Sequence, residues 1–178
     1  MKVNYSDWKD FLIGDLFECT NTGNILSREI EDGSGNTPFV TSSGVNNGVV
    51  AYIDASKYDI IPGHCILIGG KTFTLTYQKD GFVSNDSHNI VIRLKNNEVS
   101  SLVYLFLVSA IRASLSKKYE WSDAVTKEKL LSNTIKLPEK DGVPDWDYMD
   151  SYIKQVKERA SSNLKLLVSA IYTEGGVH

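Results

Sequence analysis

Gly69-Gly70-Lys71-Thr72 is the stretch of this chain that comes nearest to a nucleotide-hydrolysing motif, since a glycine-rich turn before Lys-Thr is how a phosphate loop offers amides and an ammonium to a triphosphate. The pattern is broken twice. The position where the first glycine is needed holds Cys65, and Thr72-Phe73-Thr74-Leu75-Thr76-Tyr77 alternates as a strand where a helix is required. A strand cannot aim its amides at a phosphate as a helix N-terminus does. Metal-assisted nuclease chemistry fares no better. It needs an acid upstream of an Asp/Glu-x-Lys triplet to hold the ion and orient water, and Asp7-Trp8-Lys9 is the one such triplet, with no acid before it. Methyl transfer to a base would need an Asn/Asp-Pro-Pro-aromatic loop, which is absent, and His64 and His88 lack a nucleophile elbow to serve. His64, Cys65 and His88 would have to converge in space to bind a metal, and the two cysteines, Cys19 and Cys65, have no CxxC spacing. Reduced thiols, no cofactor and no catalytic centre are the expectation.

What remains is a concentration of small polar groups on loops. Thr41-Ser42-Ser43-Gly44-Val45-Asn46-Asn47-Gly48 offers hydroxyls and two amides on a glycine-hinged loop, and Ser84-Asn85-Asp86-Ser87-His88-Asn89 offers a second set. Asn can pair with adenine in the major groove through two hydrogen bonds, and hydroxyls can hold phosphate oxygens. The expected nucleic-acid contacts are Thr41, Ser42, Ser43, Asn46 and Asn47 on the first loop, Lys71, Thr72, Thr74, Tyr77 and Lys79 along the next strand, Asn85, Ser87 and His88 on the second loop, and Lys117, Lys118 and Tyr119 further on. Lys71, Lys79, Lys117, Lys118 and Lys127 would supply the electrostatic attraction.

These groups need a scaffold. From Tyr5 to Glu18 an extended segment turns at Gly14 and Asp15 into a helical turn, followed by a polar loop from Thr20 to Thr37. Strands are expected at Pro38 to Thr41, Val49 to Ile53, Cys65 to Ile68, Phe73 to Tyr77, Gly81 to Val83 and Ile90 to Leu94, with Lys79-Asp80-Gly81 as a hairpin turn. Ser100 caps a helix from about Ser101 to Leu115, apolar almost all the way round and hence a core element. A short helix begins at Thr126, a last strand runs from Thr134 to Leu137, and Glu139 to Val143 is a charged turn. Strands followed by segregated helices indicate an α+β fold: a small mixed or antiparallel sheet domain with packed helices, then a long C-terminal coiled-coil helix.

That helix is capped by Asp145 after Pro144. Trp146, Met149, Ile153, Val156, Ala160, Asn163, Leu167 and Ala170 then recur at alternating spacings of three and four, a heptad seam. Leu164, Leu166 and Ile171 widen the stripe, and no second long helix is evident to cover it. A polar residue in a seam, here Asn163, fixes register and partner number. Trp146, Met149, Ile153, Val156, Ala160, Asn163 and Leu167 are therefore the expected dimerisation residues. The division expected is 1–143 for the globular unit, 144–173 for the helix and 174–178 for a tail.

Apolar and charged contents of 42% and 23% fit an ordinary globular protein, and the longest apolar run, Leu102 to Ile111, is too short to span a bilayer. Lys9, Asp10 and Asp15 interrupt any secretory signal, so a cytoplasmic location is expected. The net charge of -3 excludes a strongly basic arm but not a local basic face.

Taken in order, the pieces resemble the specificity subunits of type I restriction-modification systems and the related BcgI-like subunits. Trp8 with Phe11-Leu12-Ile13-Gly14-Asp15-Leu16-Phe17-Glu18 carries the likeness, as do Pro38-Phe39-Val40-Thr41-Ser42-Ser43 with Asn47-Gly48, and Ile61-Pro62-Gly63 leading to Ile68-Gly69-Gly70. Phe82 before Ser84, Leu130 to Pro138, and Pro144-Asp145-Trp146-Asp147-Tyr148-Met149 entering the helix also fit. The resemblance implies a non-catalytic subunit that binds double-stranded DNA and recruits methyltransferase subunits, which bring S-adenosylmethionine chemistry, and in some systems a restriction subunit. Such subunits hold two recognition domains and two antiparallel spacer helices. This sequence has one of each, like half a subunit, so a homodimer reading a palindromic, bipartite site is expected. A peptide- or glycan-binding module oligomerised by its helix is the rival reading; steep salt dependence would mark DNA binding.

Overall fold

The computed structural model describes residues 5–95, 98–119 and 124–174. In chain order the elements are β1 (Lys9–Leu12), α1 (Ile13–Leu16), β2 (Phe17–Asn21), β3 (Thr37–Val40), β4 (Val49–Ile53), β5 (Cys65–Ile68), β6 (Leu75–Gln78), β7 (Val83–Ser84), β8 (Ile90–Leu94), α2 (Ser101–Leu115), α3 (Lys127–Leu131), β9 (Thr134–Leu137), β10 (Glu139–Lys140), β11 (Val143–Pro144) and α4 (Trp146–Glu174). An antiparallel sheet of order β2-β8-β5-β6 lies beside a three-stranded sheet of order β4-β3-β7, in which β3 and β7 are parallel. The α+β class expected from the sequence is what forms, with the long helix at the C-terminal end.

Side-chain alternation explains the layering. On β5, Ile66 and Ile68 join the core beneath α2, whereas Cys65 and Leu67 meet Val40 and Phe82 on the other face; on β8, Ile90, Ile92 and Leu94 take the first side and Val91 the second. The central strands are buried on both faces, which is why they read as unbroken apolar runs. α2 starts where the Ser100 hydroxyl accepts the N–H groups of Leu102 and Val103, and buries Val103, Tyr104, Phe106, Leu107, Ile111 and Leu115. The Tyr104 hydroxyl accepts the Leu94 N–H at 3.0 Å, so the one polar atom of that ring is satisfied in the core.

Several local expectations need correction. Phe17 to Asn21 is a strand and not the start of a loop: only Phe17 and Cys19 alternate in it, and it pairs along one side alone, with β8. Phe73 lies outside β6, in the preceding turn, with φ of 49°. Lys79-Asp80-Gly81 is no hairpin turn, because Phe82 bridges to Ile61 and the chain passes to β7 in the other sheet. The charged turn is itself a hairpin, β10 to β11, closed by Asp141 and Gly142 at φ of 55° and 83°.

The long helix is only partly bare, which corrects the expectation that nothing in the chain covers its seam. Asp145 Oδ1 caps it by accepting the Tyr148 N–H at 2.9 Å. Met149 is 0% exposed, and Trp146, Tyr152 and Ile153 pack with it on the core, where Phe106 of α2 meets Tyr152 at 5.8 Å between ring centroids. Met149 is thus removed as a partner contact, and Trp146 and Ile153 are half-buried in their own chain. Beyond them the helix leaves the domain: Val156 is 45% exposed, Leu164 62%, Leu167 64% and Ile171 69%. The side chain of Tyr172 and the tail after Glu174 lie outside the described residues. Among the described residues no helix is long and apolar enough to cross a membrane.

Candidate nucleic-acid interface

The turn between β5 and β6, residues 69–74, is where three polar segments remote in sequence come together. Two glycines allow it. A Cβ on Gly69 would press into Ser42, Thr72 and Thr74, and one on Gly70 would collide with the carbonyl of His88, so bare backbone is what lets both loops close on the turn. Phe73 stacks on Tyr119 with centroids 5.0 Å apart, adding the segment after α2. Val125 donates its N–H to the Gly70 carbonyl at 2.8 Å and adds the approach to α3.

The 41–48 loop is held by its own polar groups. The Thr41 hydroxyl accepts the Ser43 N–H at 3.3 Å and the Ser43 hydroxyl accepts the Val45 N–H at 3.1 Å. Thr74 donates its hydroxyl to the Ser42 carbonyl at 2.6 Å, with the Thr72 hydroxyl 2.9 Å away. Asn46 and Asn47 take φ of 48° and 53°, a left-handed conformation that Asn tolerates. Their amides donate to the carbonyls of Val49 at 2.9 Å and Tyr77 at 2.8 Å, and Gln78 donates back to the Asn47 carbonyl at 2.9 Å. Both asparagines are exposed, yet their amide nitrogens already serve the shape of the loop.

In the 84–89 loop Asp86 accepts the His88 N–H at 2.9 Å and meets His88 Nδ1 at 2.8 Å, while Lys71 Nζ stands 3.7 Å from its other oxygen. Lys71, Ser87 and His88 face Thr126 and Lys127 across a polar cleft of about 250 Å3. Asn85 is half-buried, and its enclosed side-chain oxygen meets no donor among the described residues. Lys117 and Lys118 are exposed after α2; Lys118 donates to Asn133 Oδ1 at 3.0 Å, and the Asn133 amide donates to the Tyr119 hydroxyl at 2.6 Å.

Two expected contact residues stand apart from this cluster. The Tyr77 ring stacks on Tyr104, centroids 5.2 Å apart, and its hydroxyl donates to Ser101 at 2.8 Å and meets His64 Nδ1 at 2.9 Å. Lys79 follows the far end of β6, where its carbonyl accepts the His64 N–H at 3.0 Å. His64 and His88 therefore have separate partners. Asp86, Gln78 and Asn133 were missed as organisers of the site. Only the acid between Asn85 and Ser87 had a signal, the tendency of Asp to bond backbone two residues on.

Burial pushes the thiols of Cys19 and Cys65 up to about 11, so neither is a nucleophile near neutral pH. For Asp86, partial burial works to raise the carboxyl, but the His88 hydrogen bonds and the charges of Lys71 and His88 outweigh it and hold it below the usual carboxylate range. A depressed carboxyl stabilises the fold above its unfolded pKa, and that contribution is lost as pH falls through the folded value. Asp86→Asn is expected to flatten the loss of stability below about pH 4, the ordinary aspartate value, as read from urea midpoints across pH. An unchanged acid limb would show that the cluster does not stabilise the loop.

Residues 5–166 match the family model described as type I restriction modification DNA specificity domain. The chain belongs to that family. Over 162 residues this specificity domain is 28% identical to the type II restriction enzyme specificity subunit S.BcgI of Heyndrickxia coagulans, covering 90% of the present chain and 47% of the relative. The chain therefore spans about half the length of that relative. Its fold is similar to that of the HsdS subunit from Thermoanaerobacter tengcongensis, with a TM-score of 0.59 at 15% identity over 88% of this chain and 39% of the other. It also resembles a chain from a structure on complex assembly and conformational transition of the type I R-M system, with a TM-score of 0.64 at 11% identity, covering 96% and 43%. Against these, the specificity domain here has one globular unit and one long helix.

Proposed function

We propose that this chain is a DNA-reading specificity subunit with no catalysis of its own, acting as a two-fold homodimer on a bipartite, palindromic site and positioning methyltransferase subunits, with a restriction subunit in some assemblies. Residues 1–143 form the target-recognition unit and 144–173 the spacer, of which the first turns also serve the core. The observation that carries the reading is the 69–74 turn, which gathers Ser42, Thr72, Thr74, Lys71, His88 and Tyr119 from distant parts of the chain. Family membership supplies the ligand class. At about 1.5 Å per residue, α4 is roughly 40 Å long, close to the ~34–36 Å that separates half-sites one turn apart. Two recognition units held at that distance would read inverted half-sites, and a cytoplasmic location follows from the ligand.

Within this reading the exposed Lys117 and Lys118 attract phosphates, and the loop residues read bases. Replacing both lysines with Ala is expected to weaken binding of cognate and random duplexes alike and to lower the salt slope by about one to two. Fluorescence anisotropy across a salt series measures both. Binding indifferent to salt would point instead to a glycan or peptide ligand.

A further inference from the structure

An aromatic row runs across the face beside α4. Tyr5 meets Trp8 at 4.8 Å between centroids, Trp8 meets Phe106 at 5.5 Å, Phe106 meets Tyr152 at 5.8 Å, and Tyr152 stacks with Tyr148 at 6.2 Å. Beside it lies a mainly apolar groove of about 480 Å3, lined by Trp8, Phe106, Ala110, Ala113, Tyr152 and Ile153. The groove is continuous with the bare seam, because Val156 lines both.

We propose that this groove receives the last turns of α4 from a second copy of the chain. The inference rests on the homodimer proposed above and says where each helix ends. Val156, Ala160, Asn163 and Leu167 are spaced four, three and four, a pattern that reads the same from either end. An antiparallel second copy therefore finds its own seam. With the two-fold axis between Ser161 and Ser162, Val156 faces Leu167, Ala160 faces Asn163, and Ile153 faces Ala170. Ile171 of the second copy then comes level with Tyr152. The exposed apolar end of one helix thus arrives at the aromatic groove of the other, twice per dimer, and a surface of this kind, aromatic and largely dehydrated, is what anchors protein interfaces. The seam alone leaves Ile171, 69% exposed, without apolar cover. The groove supplies it.

Ala113 is exposed, so a charge placed there leaves the fold intact. Sedimentation of the full chain should show a dimer, with Ala113→Glu and Ile171→Glu each raising its dissociation constant at least tenfold, and the double variant losing less than the product of the two. Ala113→Leu should retain the dimer. A stable dimer unmoved by Ala113→Glu, or two independent losses, would overturn the groove while leaving the homodimer standing. A monomeric wild-type chain would overturn both.

Discussion

Leu167→Glu is expected to leave the domain folded and to abolish the pair. Leu167 is 64% exposed and contributes little to its own core, so the urea midpoint should stay within about 0.5 kcal/mol of wild type, as for surface changes generally. In an antiparallel pair the same residue faces Val156, and two carboxylates would be driven into an apolar seam where they have no partner. Charges in such a position cost several kcal/mol unless paired. The consequence for DNA is larger than for the chain. Linking two recognition units makes the second contact intramolecular, worth about 10²–10⁴ in affinity when the geometry fits. The variant should therefore lose about that factor on a bipartite duplex while keeping its affinity for an isolated half-site. Sedimentation together with anisotropy on the two duplexes measures this, and a persistent dimer would move the interface off the seam.

The second large effect is expected at Gly70. Gly70→Ala adds a methyl group where the His88 carbonyl already lies, and backbone cannot give way as a flexible side-chain end can. Overpacking of this kind costs about 1–3 kcal/mol. It should also displace the 84–89 loop, so that DNA affinity falls although no charge or hydrogen-bonding side chain has been altered. Gly23→Ala is the control, since a Cβ there meets nothing within 4 Å. Equilibrium unfolding and anisotropy on both variants separate the outcomes, and a neutral Gly70→Ala would show that the close approach is dispensable.

The glycine pair also shows what the sequence could and could not reveal. Gly69-Gly70-Lys71-Thr72 was recognisable as no phosphate loop, because the following residues alternate like a strand. That the glycines serve to let two distant loops close on one turn was not visible, since close approach depends on contacts far apart in sequence. β4, β5, β8, α2 and β9 were legible at their boundaries, each being a strongly patterned run between clear breakers. β2 was not, because Glu18, Thr20 and Asn21 mask the alternation of Phe17 and Cys19. The seam of α4 was legible in its spacing, but periodicity alone does not say which part is covered. Met149 and Val156 carry the same pattern, and only the packing of α2 separates the buried one from the bare one. Likewise Asn46 and Asn47 stood out as polar side chains on a loop, whereas their left-handed backbone and their bonds to Val49 and Tyr77 arise from the docking of that loop on β6.

Selection from a randomised duplex pool, with the purified chain and its methyltransferase, tests the central claim most directly. The expected result is enrichment of two inverted copies of one half-site at a fixed separation on the order of one helical turn. A pool that remains random, or that enriches a single unrepeated half-site, would contradict it.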